Sequence, residues 1–266
     1  MEGRKFRPSL LAGMLPGMSF AEKAVLITGG ANGFGRATGA RLAGEGAHVV
    51  LADIEEEAGR QAAEEIGGEF IQCDVRDPEA SVAAVDFTVE KFGGLDIAFL
   101  NAGISTGCGL VESFDLELYR RAMQINLDGV VFGINAAVPA MRRRGGGSIV
   151  ATASLAGLTA VPFDPIYAAN KHAVVGLVRS AGPVYELESI RINGICPGFS
   201  DTRIIDGFKE GLVSEGIPII EVEHVVDGIV DLMASPESGN CHFVQAGMDP
   251  QEFRFRNIPG PKAAEA

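Results

Sequence analysis

The sequence predicts an α/β fold built as a single doubly wound parallel sheet flanked by helices. Three observations carry that prediction. Short apolar runs recur along the chain, each separated from the next by a segment whose apolar residues fall at helical spacing. The runs are apolar throughout rather than alternating, as expected of strands covered on both faces. The first run ends in the glycine cluster "TGGANGFG", which leads directly into a helical segment.

The elements follow in order. "KAVLITGG" (23–30) reads as a buried strand ending in glycines, and "FGRATGARLAGEGA" (34–47) as the helix after it. "HVVLADI" (48–54) is a strand, "EEEAGRQAAEEIG" (55–67) an amphipathic helix, and "EFIQCDV" (69–75) a strand. A helix over 78–94 is opened by Pro78, whose fixed φ suits a first helical position. "LDIAFLNAG" (95–103) is a strand, 115–145 one long helix, and "GGSIVATAS" (146–154) a strand. A helix over 165–181, a strand over 190–198, a helix over 221–235 and a last strand, "CHFVQAG" (241–247), complete the series. No linker or repeat interrupts it, so residues 22–248 form one domain between a leader (1–21) and a tail (249–266).

Composition narrows the function classes. Across 266 residues, 47% are hydrophobic and 21% charged, enough for a sizeable core. A net charge of −13 excludes a phosphate-tracking nucleic-acid binder, which needs clustered Lys and Arg. Cys73, Cys108, Cys196 and Cys241 show no metal-ligand spacing, nor do His48, His172, His224 and His242. The cysteines are expected to be reduced thiols of a cytoplasmic protein, and no metal is expected. No apolar run approaches the roughly 20 residues that span a bilayer, so no membrane association is expected. The leader has a basic start and an apolar middle, but Gly13, Pro16 and Gly17 break that middle, which argues against an export signal.

The glycines have a specific job to do. Gly29, Gly33 and Gly35 have the spacing G-x-x-x-G-x-G between the first strand and first helix. Such a turn lets backbone approach a pyrophosphate, while the helix start presents free N–H groups and a positive dipole end. Asn32 and Phe34 stand within the same turn. Asp53 ends the second strand, where a carboxylate would accept both adenosine ribose hydroxyls and repel a 2′-phosphate. Ile54, the next residue, is not basic, and Arg36 is expected to lie along the helix start. The cofactor expected is therefore NAD. Asp74 and Val75 close the third strand, where an adenine ring would lie. Asn101, Ala102 and Gly103 close the fourth, with small residues that admit a flat ligand.

"TGGANGFG", "NAG", "INLDG", "ATAS", "YAANK" and "CPG" occur here in the order and approximate spacing of the classical short-chain dehydrogenases/reductases. Each motif is weak alone, whereas the ordered set over about residues 22–248 is specific. The resemblance implies a Rossmann-type fold, a nicotinamide cofactor and a catalytic set falling on Asn126, Ser154, Tyr167 and Lys171. It also implies that Asn126 helps hold a water linking Lys171 to solvent, and that Tyr167 and Lys171 contact the cofactor. Pro197, Gly198 and Thr202 suit the loop that would meet the nicotinamide carboxamide. Dimers of the family pack the helices carrying Asn126 and Tyr167, which implies a homodimer or homotetramer.

The chemistry agrees with that resemblance. Oxidising a carbinol requires removal of its hydroxyl proton as well as hydride transfer. Tyrosine, with an ordinary pKa near 10, is a poor base at neutral pH. A lysine one helical turn away is expected to stabilise the phenolate and lower that value. Ser154 can hold the substrate oxygen. The segment after "CPG" carries Phe199, Ile204, Ile205, Phe208, Leu212 and Ile217, and a second apolar wall lies in "LAGLTAVPFDP". A hydrophobic secondary alcohol or ketone is therefore the expected substrate: steroid-like, lipid-derived or cyclic. Arg203, in the same lid, could pair with a substrate carboxylate or be exposed.

Two features depart from the family pattern. Gly182 and Pro183 are expected to kink or end the helix that carries Tyr167. The tail, with Phe253 and Phe255 alternating with Arg254 and Arg256, could dock on a neighbouring subunit or lie free. Two other functions stay open, an NADPH-dependent ketone reductase and a non-catalytic dinucleotide-sensing regulator.

Overall fold

The structure is a computed structural model, and it describes residues 19–256. The chain forms β1 (Ala24–Thr28), α1 (Gly33–Gly44), β2 (His48–Asp53), α2 (Glu56–Ile66), β3 (Glu69–Gln72), α3 (Pro78–Phe92) and β4 (Ile97–Leu100). It continues through α4 (Leu116–Met123), α5 (Gly129–Arg144), β5 (Gly147–Thr152), α6 (Pro165–Glu186) and β6 (Ile190–Pro197). It ends with α7 (Lys209–Ser214), α8 (Val222–Ala234), β7 (Cys241–Val244) and β8 (Gln251–Glu252).

The sheet order is β3-β2-β1-β4-β5-β6-β7-β8. The first seven strands are parallel, with the order reversing between β1 and β4, and β8 is antiparallel to β7. This is the doubly wound sheet that the apolar runs predicted. Alternate strand residues feed opposite cores. Leu26, Ala98 and Ile149 pack beneath Ile134, Ala137 and Met141 of α5 and Val174 and Val178 of α6. Val25, Phe99 and Val150 pack beneath Leu42 of α1 and Val225, Ile229 and Met233 of α8. Both faces are thus covered, and the polar termini of the strands are left at the edges.

Several elements differ from the sequence reading. The long helix over 115–145 contains a π-helical turn at Gln124–Asp128, centred on Asn126. Pro183 does not end its helix: α6 runs on to Glu186. The proline removes one bond, the N–H that would reach Arg179 O, but only three helical residues follow it. Gly182 beside it is pressed on the β6–β7 connection, since a Cβ there would lie 2.3 Å from the Gly239 nitrogen. Phe20, which the sequence reading places in the leader, is buried in the core.

The tail was expected as a separate unit from residue 249. Its described part lies on its own chain: β8 extends the sheet, and Phe253 N–H donates to Cys241 O at 2.8 Å. The Arg179 guanidinium stacks over the Phe255 ring at 3.6 Å. Residues 1–18 of the leader and 257–266 of the tail lie outside the described residues.

Candidate active site

The carboxyl ends of β1, β4, β5 and β6 meet at the point where the strand order reverses. In open α/β sheets this is the place where a crevice forms. The glycine turn stands at one end of it. Gly29 and Gly33 have φ of +65° and +51°, a region that favours glycine. A Cβ at Gly35 would lie 2.1 Å from Gly29 O, so only glycine lets α1 start this close to the strand end. Asn32 precedes α1 without capping it, its side chain being turned to Glu55 at 3.1 Å. The first N–H groups of α1, at Gly33, Phe34 and Gly35, therefore have no side-chain acceptor among the described residues, and are free for an anion. Phe34 itself packs against the core. The turn fits a dinucleotide pyrophosphate.

Asp53 caps the far side of this turn. Its Oδ2 accepts from Ala31 N–H at 2.9 Å and its Oδ1 from Glu55 N–H at 3.0 Å, which fixes the carboxylate at the end of β2. Ile54 is 56% exposed beside it. Val75 is buried against Gly129, where a Cβ would come within 2.9 Å of it. Asp74 is engaged differently from the expectation. Arg76 grips its carboxylate with contacts of 2.6 to 3.0 Å, and these hydrogen bonds hold Asp74 below its usual range.

The opposite end of the crevice holds the Tyr–Lys pair. Asp164 Oδ1 accepts from Tyr167 N–H at 2.9 Å and Pro165 occupies the first turn, so a cap followed by proline starts α6 three residues ahead of Tyr167. Lys171 follows one turn later on the same face. Its Nζ lies 5.7 Å from the Tyr167 ring centroid and donates to Thr152 O at 2.9 Å. Thr152 Oγ1 donates to Asn101 Oδ1 at 3.1 Å, and Asn101 Nδ2 donates to Gly29 O at 3.2 Å. A continuous hydrogen-bond chain thus ties the ammonium on α6 to the glycine turn, across the ends of β5, β4 and β1. Thr28 Oγ1 accepts from Asn101 N–H and Ala102 N–H, at 3.0 and 3.2 Å, and secures the same strand ends.

Ser154 stands near the Tyr167 hydroxyl, close enough to act on its pKa. Its own Oγ accepts from Ala156 N–H at 3.1 Å and donates to Pro197 O at 3.4 Å. Gly157 allows the turn after Ser154 to press on α6, since a Cβ there would lie 2.6 Å from Lys171 O. Asn126 is 1% exposed and pairs head to tail with the Ile104 backbone: its Oδ1 accepts at 2.8 Å and its Nδ2 donates at 2.9 Å. Gly103 lies between the two groups, for a Cβ there would be 3.4 Å from Asn126 Oδ1 and 3.7 Å from Lys171 Nζ. The structure therefore brings Ser154, Tyr167, Lys171 and Asn126 to the same end of the crevice.

The electrostatics differ from the expectation. Burial pushes the Tyr167 phenol up to about 12, with the Ser154 hydrogen bond acting against the rise and Asp164 adding to it. Burial drives Lys171 down to about 8. In the chain alone, desolvation outweighs the attraction between ammonium and phenolate. The neighbouring lysine does not by itself make an acidic phenol.

The segment after β6 reaches back over the glycine turn. Gly198 is hemmed in by Gln245 and Leu155, and Thr202 packs over Gly33, where a Cβ would be 3.4 Å from Thr202 Cγ2. Ser200 pairs with Ile220 at the base of the segment, and Phe199 meets Phe208 edge-on at 6.0 Å. Arg203 turns to Glu55, at 2.9 Å, rather than standing alone. Arg36 pairs with Glu65.

Sequence reasoning missed Glu55, Thr28, Thr152 and Asp164. The Asp164–Pro165 cap was readable from residue type alone. It also missed the loop after β4, where Leu110, Val111 and Phe114 are exposed and Val111 has φ of +56°. A β-branched residue in that region is a true outlier.

The comparisons agree with this geometry. Residues 23–212 match the family model described as short chain dehydrogenase. A cyclohexanol dehydrogenase of Acinetobacter sp. (strain SE19) is 39% identical over 75% of this chain and 82% of its own. A trans-4-hydroxycyclohexanecarboxylate dehydrogenase of Sinomonas cyclohexanicum is 40% identical over 90% of this chain and 95% of its own. The crystal structure of levodione reductase superposes with a TM-score of 0.77 at 33% identity, over 86% of this chain and 98% of that one. A doubly wound sheet, a glycine turn that fits a pyrophosphate and a family match over most of the chain lead to one conclusion: this protein is an oxidoreductase of the classical short-chain dehydrogenase/reductase family, acting on CH–OH groups with a nicotinamide dinucleotide.

Proposed function

We propose that the protein interconverts a hydrophobic cyclic secondary alcohol and its ketone with NAD, using Tyr167 as general acid–base. The observation that carries this reading is the convergence of Ser154, Tyr167 and Lys171 at one end of a crevice whose other end is the glycine turn. The ring substrates in the names of the relatives above support a cyclic alcohol. The exposed apolar side chains Leu110, Val111, Phe114, Phe163, Ile204 and Phe208 support a hydrophobic one. They stand on loops that follow β4, β5 and β6, all at the crevice edge. Asp53 at the end of β2 supports NAD over NADP.

When bound, a nicotinamide would supply the hydride-accepting ring and, in its oxidised form, a positive charge. Ser154 orients the substrate oxygen through its hydroxyl. Tyr167 takes the carbinol proton during oxidation and returns it during reduction. Lys171 holds positive charge one turn from the phenol, positioned by Thr152 O. Asn126 fixes the Ile104 backbone at the crevice floor, and its π turn supports the water-holding role implied by the family resemblance. Gly29, Asn32, Gly33, Phe34, Gly35, Asp53, Ile54, Asp74, Val75, Asn101, Ala102, Gly103, Pro197, Gly198 and Thr202 are the further positions assigned to the cofactor.

We assign the cytoplasm on the four free thiols. Among the described residues no helix is long and apolar enough to cross a membrane. A homodimer or homotetramer belongs to the same reading, with Val184 and Leu187, 61% and 92% exposed near the end of α6, available for contact.

The test is Tyr167→Phe, assayed for NADH formation against a panel of cyclic, steroid and polyol alcohols, alongside NAD binding by calorimetry. Turnover should fall by about 10²–10⁴-fold, the usual range for losing a general acid–base, while NAD still binds. A variant that keeps its turnover would sink the mechanism. Parent activity confined to polyols would sink the substrate class.

A further inference from the structure

Outside the proposed catalytic set, a cluster of side chains meets at the end of β2. Glu55 stands two residues beyond Asp53. Its carboxylate accepts from Asn32 Nδ2 at 3.1 Å and from Arg203 Nη1 at 2.9 Å to each oxygen. The Glu55 N–H in turn donates to Asp53 Oδ1 at 3.0 Å. Arg203 comes to this edge from far away in the sheet. It follows β6, and β5, β4 and β1 lie between β6 and β2. At about 4.8 Å per strand that is a reach of roughly 19 Å. The contact of Thr202 with Gly33 marks the path the segment takes across the glycine turn.

We propose that Glu55 and Arg203 are a second determinant of dinucleotide choice, acting on the adenosine 2′ position together with Asp53. The inference rests on the NAD reading above. A 2′-phosphate carries about −1.5 to −2 charges at neutral pH, and an arginine fork is the group that would bind it. Arg203 places such a fork at the edge where Asp53 ends β2. Glu55 occupies it. Arg36, the other arginine near the turn, is occupied by Glu65 on α2. The edge therefore meets a 2′-phosphate with two carboxylates and an arginine already neutralised. A 2′-hydroxyl meets the Asp53 acceptor with no such penalty. Glu55 acts twice, by repelling the phosphate and by withholding the cation that would attract it.

The full chain is titrated by calorimetry with NAD⁺ and with NADP⁺, without substrate, at low salt. Parent, Glu55→Gln, Arg203→Ala and the double variant are compared. Both residues are exposed, and a thermal melt establishes that each variant is folded. In Glu55→Gln the ratio of the NADP⁺ to the NAD⁺ dissociation constant should fall about tenfold, from removing one repulsive charge and releasing one attractive one. Adding Arg203→Ala should reverse most of that gain. At about 1 M salt, where the screening length is near 3 Å, the gain should largely vanish. A Glu55→Gln ratio within about twofold of the parent overturns the inference and leaves the NAD reading standing, and so does a gain that survives removal of Arg203 undiminished. A parent that binds NADP⁺ more tightly than NAD⁺ overturns the NAD reading itself, and this inference with it.

Discussion

Replacing Lys171 by methionine should abolish turnover and yet make the unliganded protein more stable at neutral pH. Lys171 is 3% exposed, and burial lowers its pKa from 10.5 to about 8. The sign follows from linkage. The folded state binds the proton more weakly than the unfolded state, so charge on Lys171 opposes folding below pH 8. That opposition is relieved as pH rises from about 8 towards 10.5. That lowering corresponds to roughly 3 kcal/mol of opposition to folding. Methionine matches the length and the apolar stem without the charge. It leaves Thr152 O without its donor, which costs about 1–3 kcal/mol. The net expectation is a gain of up to about 2 kcal/mol at pH 7, or a few degrees in Tm.

The assay is urea unfolding of both proteins at pH 7, 8, 9 and 10, at one protein concentration so that assembly does not enter the comparison. The advantage of the variant should shrink by about 1.4 kcal/mol for each pH unit above 8 and change sign near pH 9. A variant less stable than the parent at pH 7, or a difference that stays constant from pH 7 to 10, would refute the reasoning. Either result would mean that the ammonium is adequately solvated where it sits.

Two further outcomes are expected. Ser154→Ala should lower kcat by about 10²–10³, the usual effect of losing a donor to a developing oxyanion, with NAD affinity retained; calorimetry and steady-state kinetics on one preparation test both halves. Gly35→Ala sets a Cβ 2.1 Å from Gly29 O, so the glycine turn must move. It should cost about 1–3 kcal/mol in urea unfolding and weaken NAD by about tenfold or more, and a variant with parental NAD affinity would count against the pyrophosphate assignment.

The sheet was legible because each buried strand has to be apolar on both faces, and few other structures ask that of so short a run. The convergence of Ser154, Tyr167 and Lys171 was legible for a related reason: the chemistry restricts residue type and helical spacing together. What the sequence left hidden is tertiary. β8 is two exposed residues, Gln251 and Glu252, whose pairing to β7 leaves no pattern of its own. Pro183 reads as a breaker, yet α6 continues past it to Glu186. The π turn at Asn126 interrupts a helix whose apolar spacing runs straight through it. Arg203 reads as a lone surface charge until the fold carries it to Glu55. The burial that raises the Tyr167 pKa in the chain alone is hidden too, because residue spacing reports the neighbouring charge but not the desolvation that opposes it.

That opposition bears on how the site works. A phenol pushed up to about 12 and an ammonium driven down to about 8 are both held in their neutral-leaning directions by the same burial. Burial disfavours the phenolate in the chain alone, and further positive charge would act against that. The hydrogen-bond chain through Thr152 and Asn101 ends at the glycine turn, the place assigned to the pyrophosphate. The ammonium and the cofactor cradle are therefore parts of one rigid assembly at the strand ends, not two sites that happen to adjoin. On the function proposed above, a positively charged ring in the crevice would favour the phenolate, so the strength of Tyr167 as a base would rise with cofactor occupancy.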